Sequence, residues 1–203
     1  MGNRGRFGKY GETKRIERLR QAKTGRCDSL HKGGHLKMKT PHSWKKTSAK
    51  AEFVMREAVV SDVDFIRTLS LKAFRKYGPY EDILPTWFLS GIGLTVVALM
   101  GKRPAGYAML GKVEGEDSSH RVSEMLAIAV EPSARNQGLG DLLMGEMIRR
   151  AEELFVETLI LYTGLDNLPG QALFEKHGFV PAGIREVFYP GGQNALMMRK
   201  DIG

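Results

Sequence analysis

The residues best suited to chemistry lie between Glu124 and Asp141. There the chain reads Ala127-Ile128-Ala129-Val130-Glu131-Pro132-Ser133-Ala134-Arg135-Asn136-Gln137-Gly138-Leu139-Gly140. An apolar, strand-like run enters a loop, and the loop opens an amphipathic helical pattern through two glycines. The first turn of a helix leaves its leading backbone N–H groups without intrahelical partners, at the positive end of the helix dipole. Glycine at 138 and 140 takes away side chains that would keep a phosphate group from those donors. Arg135 adds a charged fork of donors at the edge of the loop. This is the chemistry of phosphate recognition. Two common phosphate loops are excluded by the letters themselves. No Gly-Lys-Ser/Thr is present, so this is not a nucleotide-hydrolysing P-loop. A dinucleotide fingerprint counted from Gly138 needs Gly or Ala at 143, where Leu143 stands. The plainer reading is a glycine-started helix beside a solvated arginine.

The elements that must position this turn can be read from hydrophobic period. Residues 53–59 form a strand pattern. Ser61 with Asp64 three residues on resembles a capping box, and Val63, Ile66, Leu69, Ala73 and Phe74 then recur at helical spacing. A shorter helix fits residues 81–89, with Pro85 in its first turns. Residues 94–99 and 105–110 read as a hairpin, and 122–130 as a long strand stopped by Pro132. Residues 138–155 make an amphipathic helix through Leu139, Leu142, Leu143, Met147, Ala151 and Leu154. A strand over 158–163, a helix over 169–177 and a closing hairpin of 179–187 with 195–200 complete the order. The class is α/β (α+β): a mixed sheet flanked by helices, without internal repeats.

Arg-x-x-Gly-x-Gly following strand-Val-x-Pro resembles the coenzyme A signature of the GNAT superfamily of N-acetyltransferases. Asn167, Ala172 and Phe174-Glu175-Lys176-His177-Gly178-Phe179 are similar to that family's downstream block. The segment from Gly183 to Pro190, with Ala195-Leu196-Met197-Met198, is similar to the closing hairpin of ribosomal-protein N-terminal acetyltransferases. The resemblance covers about residues 53–201. It implies a mixed, mostly antiparallel sheet whose two central parallel strands splay apart to admit the cofactor. It further implies acetyl-CoA held by Ile128, Ala129, Val130, Arg135, Asn136, Gln137, Gly138, Leu139, Gly140 and Asp141, with Asn167 and Phe174 beside it. Asn167 reads equally as a helix cap ahead of Pro169.

Acetyl transfer needs a neutral amine, a stabilised oxyanion and a proton for the leaving thiolate. Glu124 matches the glutamate that serves as base in lysine-acetylating relatives. It stands four residues before Ile128, whose N–H corresponds to the donor facing the thioester. Desolvation at the edge of an apolar strand would raise its pKa, and a solvated strand-edge glutamate is the alternative. At two positions the chain departs from its relatives. Phe174 replaces the tyrosine of the downstream block, and Tyr162 stands where N-terminal acetyltransferases place a glutamate. The thiolate's proton then comes from Tyr162, from Tyr189 or from water, and packing is the alternative for both tyrosines. Lys176 reads as exposed rather than bound to a phosphate, and His120 as a loop residue.

Charge divides the chain. Its net +8 comes from residues 1–50, which hold fifteen Lys and Arg against three acids, while residues 51–203 hold sixteen against twenty. Glycines at 2, 5, 8 and 11 alternate with Arg4, Arg6, Phe7, Lys9 and Tyr10, as in solvated segments that stack on RNA. Residues 1–50 therefore read as a basic, flexible or partner-ordered arm for a polyanion such as RNA, and 51–203 as the acetyltransferase domain; a plain disordered tail is the alternative. Cys27, His31, His35 and His42 are zinc-type ligands, but the spacing fits no common site, and no metal is assigned. No apolar run suits a membrane span, no secretory pattern opens the chain, and the single cysteine fits a reducing, cytoplasmic setting. The acceptor is a peptide N-terminus, a lysine or a small amine, its specificity resting on the region near residues 77–89 and on the final hairpin, and a homodimer is allowed for. A rival of another class is a non-catalytic coenzyme A sensor tethered by the arm to RNA or a protein complex.

Overall fold

A computed structural model describes residues 52–113 and 121–202. The expectations for residues 1–50 and for His120 lie outside them. The described residues form a seven-stranded sheet in the order β1-β2-β3-β4-β5-β7-β6. The strands are β1 (Phe53–Glu57), β2 (Gly93–Met100), β3 (Arg103–Val113), β4 (Val122–Val130), β5 (Thr158–Gly164), β6 (Val180–Arg185) and β7 (Ala195–Asp201). Four helices accompany them: α1 (Val63–Phe74), α2 (Tyr80–Leu89), α3 (Leu139–Glu153) and α4 (Leu168–Lys176). All pairings are antiparallel except β4 with β5. That exception follows from chain order, because α3 makes the crossover between the two strands.

Each face of the sheet buries its own helices. Ile66 and Leu69 of α1 and Leu84 of α2 pack on Val97, Tyr107, Met109, Ala127 and Ala129. On the opposite face Leu139, Leu143, Met144, Met147 and Ala151 of α3, with Phe174 of α4, pack on Val96, Leu110, Met125, Leu159, Leu161 and Met198. Fully burying one such aliphatic side chain contributes about 1.5–3 kcal/mol, so the two cores carry the fold. A bulge shapes β4. Leu110 faces Met125 and Met109 faces Ala127, so Leu126 is the extra residue, and the face that each side chain occupies changes there.

The first strand and helix differ from the sequence expectation. β1 ends at Glu57 rather than 59, and Ser61 does not cap α1. Instead Asp62 lies at the end of a single 3-10 turn, Val60–Asp62, and accepts the Val59 N–H at 2.7 Å. The Arg56 guanidinium grips the same carboxylate through both oxygens, at 2.6 and 2.8 Å. Asp62 could take this place because a carboxylate accepts several donors at once, whereas a serine hydroxyl accepts fewer. The guanidinium holds the Asp62 carboxyl below the ordinary carboxylate range. Its side chain is only 5% exposed, so removing it leaves an unmatched cation and an unmatched N–H.

Asp62→Ala is expected to lower stability by about 2–4 kcal/mol at neutral pH. A carboxylate with a depressed pKa stabilises above its unfolded value of 3.8 and loses that contribution as pH falls through the folded value. Denaturant titrations of the two proteins should therefore converge in acid.

Candidate active site

β4 and β5 pair only from Val122–Thr158 to Met125–Leu161. Beyond that point β4 continues against β3 alone, and β5 continues against β7. The inner edges of residues 126–130 and 162–164 thus face each other without a ladder between them. A cavity of about 500 Å³ occupies the gap. Glu124, Ile128, Ala129, Val130, Arg135, Gly140, Tyr162, Asn167, Phe174 and Tyr189 all line it, so residues 65 positions apart in the chain meet in one place. Unpaired strand backbone is ready to bond a ligand that carries amides of its own.

One mouth of the cavity is the turn before α3. The chain passes through left-handed backbone at Asn136 (φ 59°) and Gly138 (φ 84°). The first bond of the helix runs from the Leu142 N–H to the Gly138 carbonyl at 3.1 Å. By helix geometry the N–H groups of residues 139–141 have no partner within α3. The two glycines have different causes. A Cβ at Gly138 would meet nothing within 4 Å, so glycine there serves the backbone angle; at Gly140 it would press on Leu173 at 3.3 Å. The Gln137 amide donates to the Ser133 carbonyl at 2.8 Å, and Arg135 Nε to the Val130 carbonyl at 3.2 Å, which together brace the turn. Asn136, Gln137, Gly138, Leu139 and Asp141 do not line the cavity wall. The Leu139 side chain belongs to the core. The Asp141 carboxylate is tied to Lys176 at 2.8 Å and His177 at 3.2 Å, which hold its pKa low, Lys176 most strongly. Any part these five take in binding therefore falls to their backbone or to their exposed side.

Asn167 makes the cap expected of it: its Oδ1 accepts the Gly170 N–H at 3.3 Å, and its Nδ2 donates to Thr163 Oγ1 at 2.9 Å. It still lines the cavity. Phe174 is buried and sits edge-on to Phe179, with their centroids 6.3 Å apart.

At the other end stands Glu124. Its cross-strand neighbours are Gly111 on β3 and Ile160 on β5. Neither can hydrogen-bond its carboxylate through a side chain, and burial pushes its pKa up to about 7. The pKa of Tyr80 is raised to about 12, chiefly by burial and secondarily by the Glu124 charge. Burial likewise pushes the Tyr189 phenol well above its ordinary range. Tyr189 stacks on Tyr77 at 4.3 Å, and Tyr162 stacks on Phe188 at 4.3 Å. The Tyr77–Tyr189 stack joins the α1–α2 corner to the β6–β7 hairpin, and the Tyr162–Phe188 stack joins β5 to it. The seam is fastened by Gly191 N–H to the Tyr77 carbonyl at 2.9 Å and by Gln193 Nε2 to the Lys76 carbonyl. A Cβ at Gly164 would clash with the Tyr77 hydroxyl. Tyr80 and Trp87 fall in the region near 77–89 and Phe188 in the final hairpin, to which the sequence assigns acceptor specificity without naming these residues; the role of Gly164 was not singled out. For Tyr80 and Trp87 the signal was the density of aromatic residues in 74–88.

The family model described as "Acetyltransferase (GNAT) family" matches residues 63–179. A [ribosomal protein bS18]-alanine N-acetyltransferase of Escherichia coli (strain K12) is 39% identical over 78 residues, covering 37% of this chain and 53% of that protein. The chain spans about half the length of the curated relatives it matches. Among solved structures, a ribosomal-protein-alanine N-acetyltransferase from Brucella melitensis superposes with a TM-score of 0.62 at 24% identity, over 73% of this chain and 99% of that one. A GNAT family acetyltransferase from Elizabethkingia anophelis with acetyl-CoA bound gives 0.61 at 20% identity, over 74% and 98%. These two likenesses establish the fold.

A carboxyl whose folded pKa lies above its unfolded value stabilises the fold while protonated and loses that contribution as pH rises through the folded value. For Glu124 the window runs from 4.5 to about 7. The cost above it is on the order of 3 kcal/mol. Glu124→Gln is therefore expected to melt higher than the wild type at alkaline pH, with the advantage gone in mild acid.

Proposed function

The chain belongs to the GNAT acetyltransferase family, and from that membership we propose that it transfers acetyl from acetyl-CoA to a primary amine by direct attack. The observation that carries the reading is the cavity between β4 and β5, with a helix N-terminus at one mouth and a desolvated carboxylate at the other. In this reading the pyrophosphate sits on the N–H groups that open α3, beside Arg135. The pantetheine amides bond the unpaired edge of β4 and the Asn167 side, and Phe174 packs against them. The thioester then lies near Ile128.

A carboxylate titrating near neutrality can take a proton from an incoming ammonium. Glu124 receives that proton, directly or through one water. The neutral nitrogen attacks the thioester carbonyl, the oxyanion is held by strand N–H, and the C–S bond breaks. The nitrogen loses its second proton and the departing sulfur gains one, so the sum is an amide and a free thiol. Phe174 has no proton to give. Tyr162 follows the last paired residue of β5 and is half-buried in the cavity, whereas Tyr189 is enclosed by Tyr77, Tyr80 and Phe188. Tyr162 is thus the better placed of the two to protonate the sulfur.

A peptide N-terminus as acceptor is supported by the ribosomal-protein relatives and by the aromatic hairpin over the site. A cytoplasmic setting, a homodimer and a polyanion partner for residues 1–50 extend the same reading. They rest on the single cysteine, the family's habits and the charge division. Among the described residues no helix is long and apolar enough to cross a membrane.

With a peptide acceptor, kcat/KM should rise with pH through an ionisation near 7, and Glu124→Gln should lose about 10²–10⁴-fold and this limb of the profile. Tyr162→Phe should lower kcat with little change in the KM for acetyl-CoA. Tight acetyl-CoA binding without turnover across peptides and amines would instead favour the sensor, for which the changes at Tyr162 and Phe174 are the motive.

A further inference from the structure

The acceptor end of the cavity has a composition that selects among amines. Its walls are Tyr77, Tyr80, Trp87, Tyr162, Phe188 and Tyr189. Among the described residues lining the cavity three are charged: Lys72, Arg135 and Glu124. Lys72 is held by Glu131 at 2.9 Å, directly after the last residue of β4, and Arg135 belongs to the turn before α3. Both cations therefore mark the phosphate end. Glu124 is the one charged group at the acceptor end among those lining residues. On the rim above it, Lys76 is already paired with Asp166 at 2.8 Å.

One carboxylate can meet one ammonium. A second charge on the acceptor, close to the reacting nitrogen, would enter an aromatic enclosure with no counter-charge, and burying an unpaired charge is strongly unfavourable. Aromatic faces instead attract an ammonium through the ring quadrupole and bury apolar surface beside it. We propose that the acceptor is a primary amine flanked by an apolar, uncharged group. This chemistry is met by a peptide N-terminus with a large apolar first side chain or by an arylalkylamine. It is not met by a polyamine, whose second cation finds no second carboxylate among the described lining residues and only Asp166, already paired with Lys76, on the rim, nor by a free amino acid, whose carboxylate would face Glu124. The inference rests on the acetyl-transfer reading and deepens it.

Phe188 is the wall residue best suited to a test, because it is 37% exposed and its replacement leaves the buried rings in place. The full-length protein is assayed with acetyl-CoA and four acceptors: a peptide beginning with Leu, phenethylamine, spermidine and free phenylalanine. The first two are expected to exceed the last two in kcat/KM by at least about tenfold, and the faster of them tells peptide from small amine. Phe188→Asp places a second anion in the enclosure, and should move the preference toward spermidine by a similar factor. Calorimetric binding of phenethylamine to the coenzyme A complex is measured in parallel. Preference of the wild type for spermidine or free phenylalanine would overturn the inference and leave acetyl transfer standing. Binding of phenethylamine without turnover of any amine would sustain the pocket assignment and sink acetyl transfer. Neither binding nor turnover would overturn both.

Discussion

The structure depends on a parallel pair of strands that stops pairing after four residues. Buried backbone N–H and C=O groups must be satisfied, and a gap of this kind in the middle of a sheet is costly unless something fills it. The bulge at Leu126 falls directly after the last paired residue of β4, and a bulge bends its strand and increases its twist. β5 meanwhile keeps its antiparallel partner β7 to Gly164, so only the inner edges are left open. The rest of the sheet, with a helical layer on each face, holds the two strands in that divergence.

From this divergence the chemistry at each end follows. The crossover helix α3 must start beside the open end of β4, which brings its free N–H groups and Gly138 to the phosphate mouth. The last paired rung lies just past Glu124, whose neighbours Gly111 and Ile160 offer its carboxylate no side-chain hydrogen bond. One geometric feature thus separates a polar, cationic mouth from an aromatic chamber with a single carboxylate. The seam between Lys76–Gly78 and Tyr189–Gln193 closes the chamber on the far side. Gly78 takes part because a Cβ there would clash with Pro190 at 2.8 Å.

The raised pKa of Glu124 shows how function competes with stability. A carboxylate solvated at a strand edge would cost the fold nothing, yet would be too weak a base at neutral pH. Burial that makes it a competent base also penalises its ionised form. The Asp62–Arg56 pair shows the opposite arrangement, a buried carboxylate fully matched by donors and therefore purely structural.

Much of the architecture could be read along the chain. The apolar periods of 122–130 and 138–155, the stop at Pro132 and the glycines at 138 and 140 are local signals, and local backbone physics made β4, the turn and α3 what they are. The phosphate mouth was legible for the same reason: its donors are contiguous in sequence. The cap of α1 was misread because Asp62 is claimed by Arg56 from the preceding strand, a contact that no window around Ser61 displays. The acceptor chamber was legible only as two regions, 77–89 and the final hairpin, with Tyr162 and Tyr189 named for another role. Tyr80 and Trp87 come from one helix and Phe188 from a hairpin far along the chain, and each alone looks like core. Only the sheet order, which sets β5 beside β7 and brings the final hairpin over the α1–α2 corner, gathers them around Glu124. Long-range strand pairing decided that, because which strands pair, and where pairing stops, is a property of the packed whole.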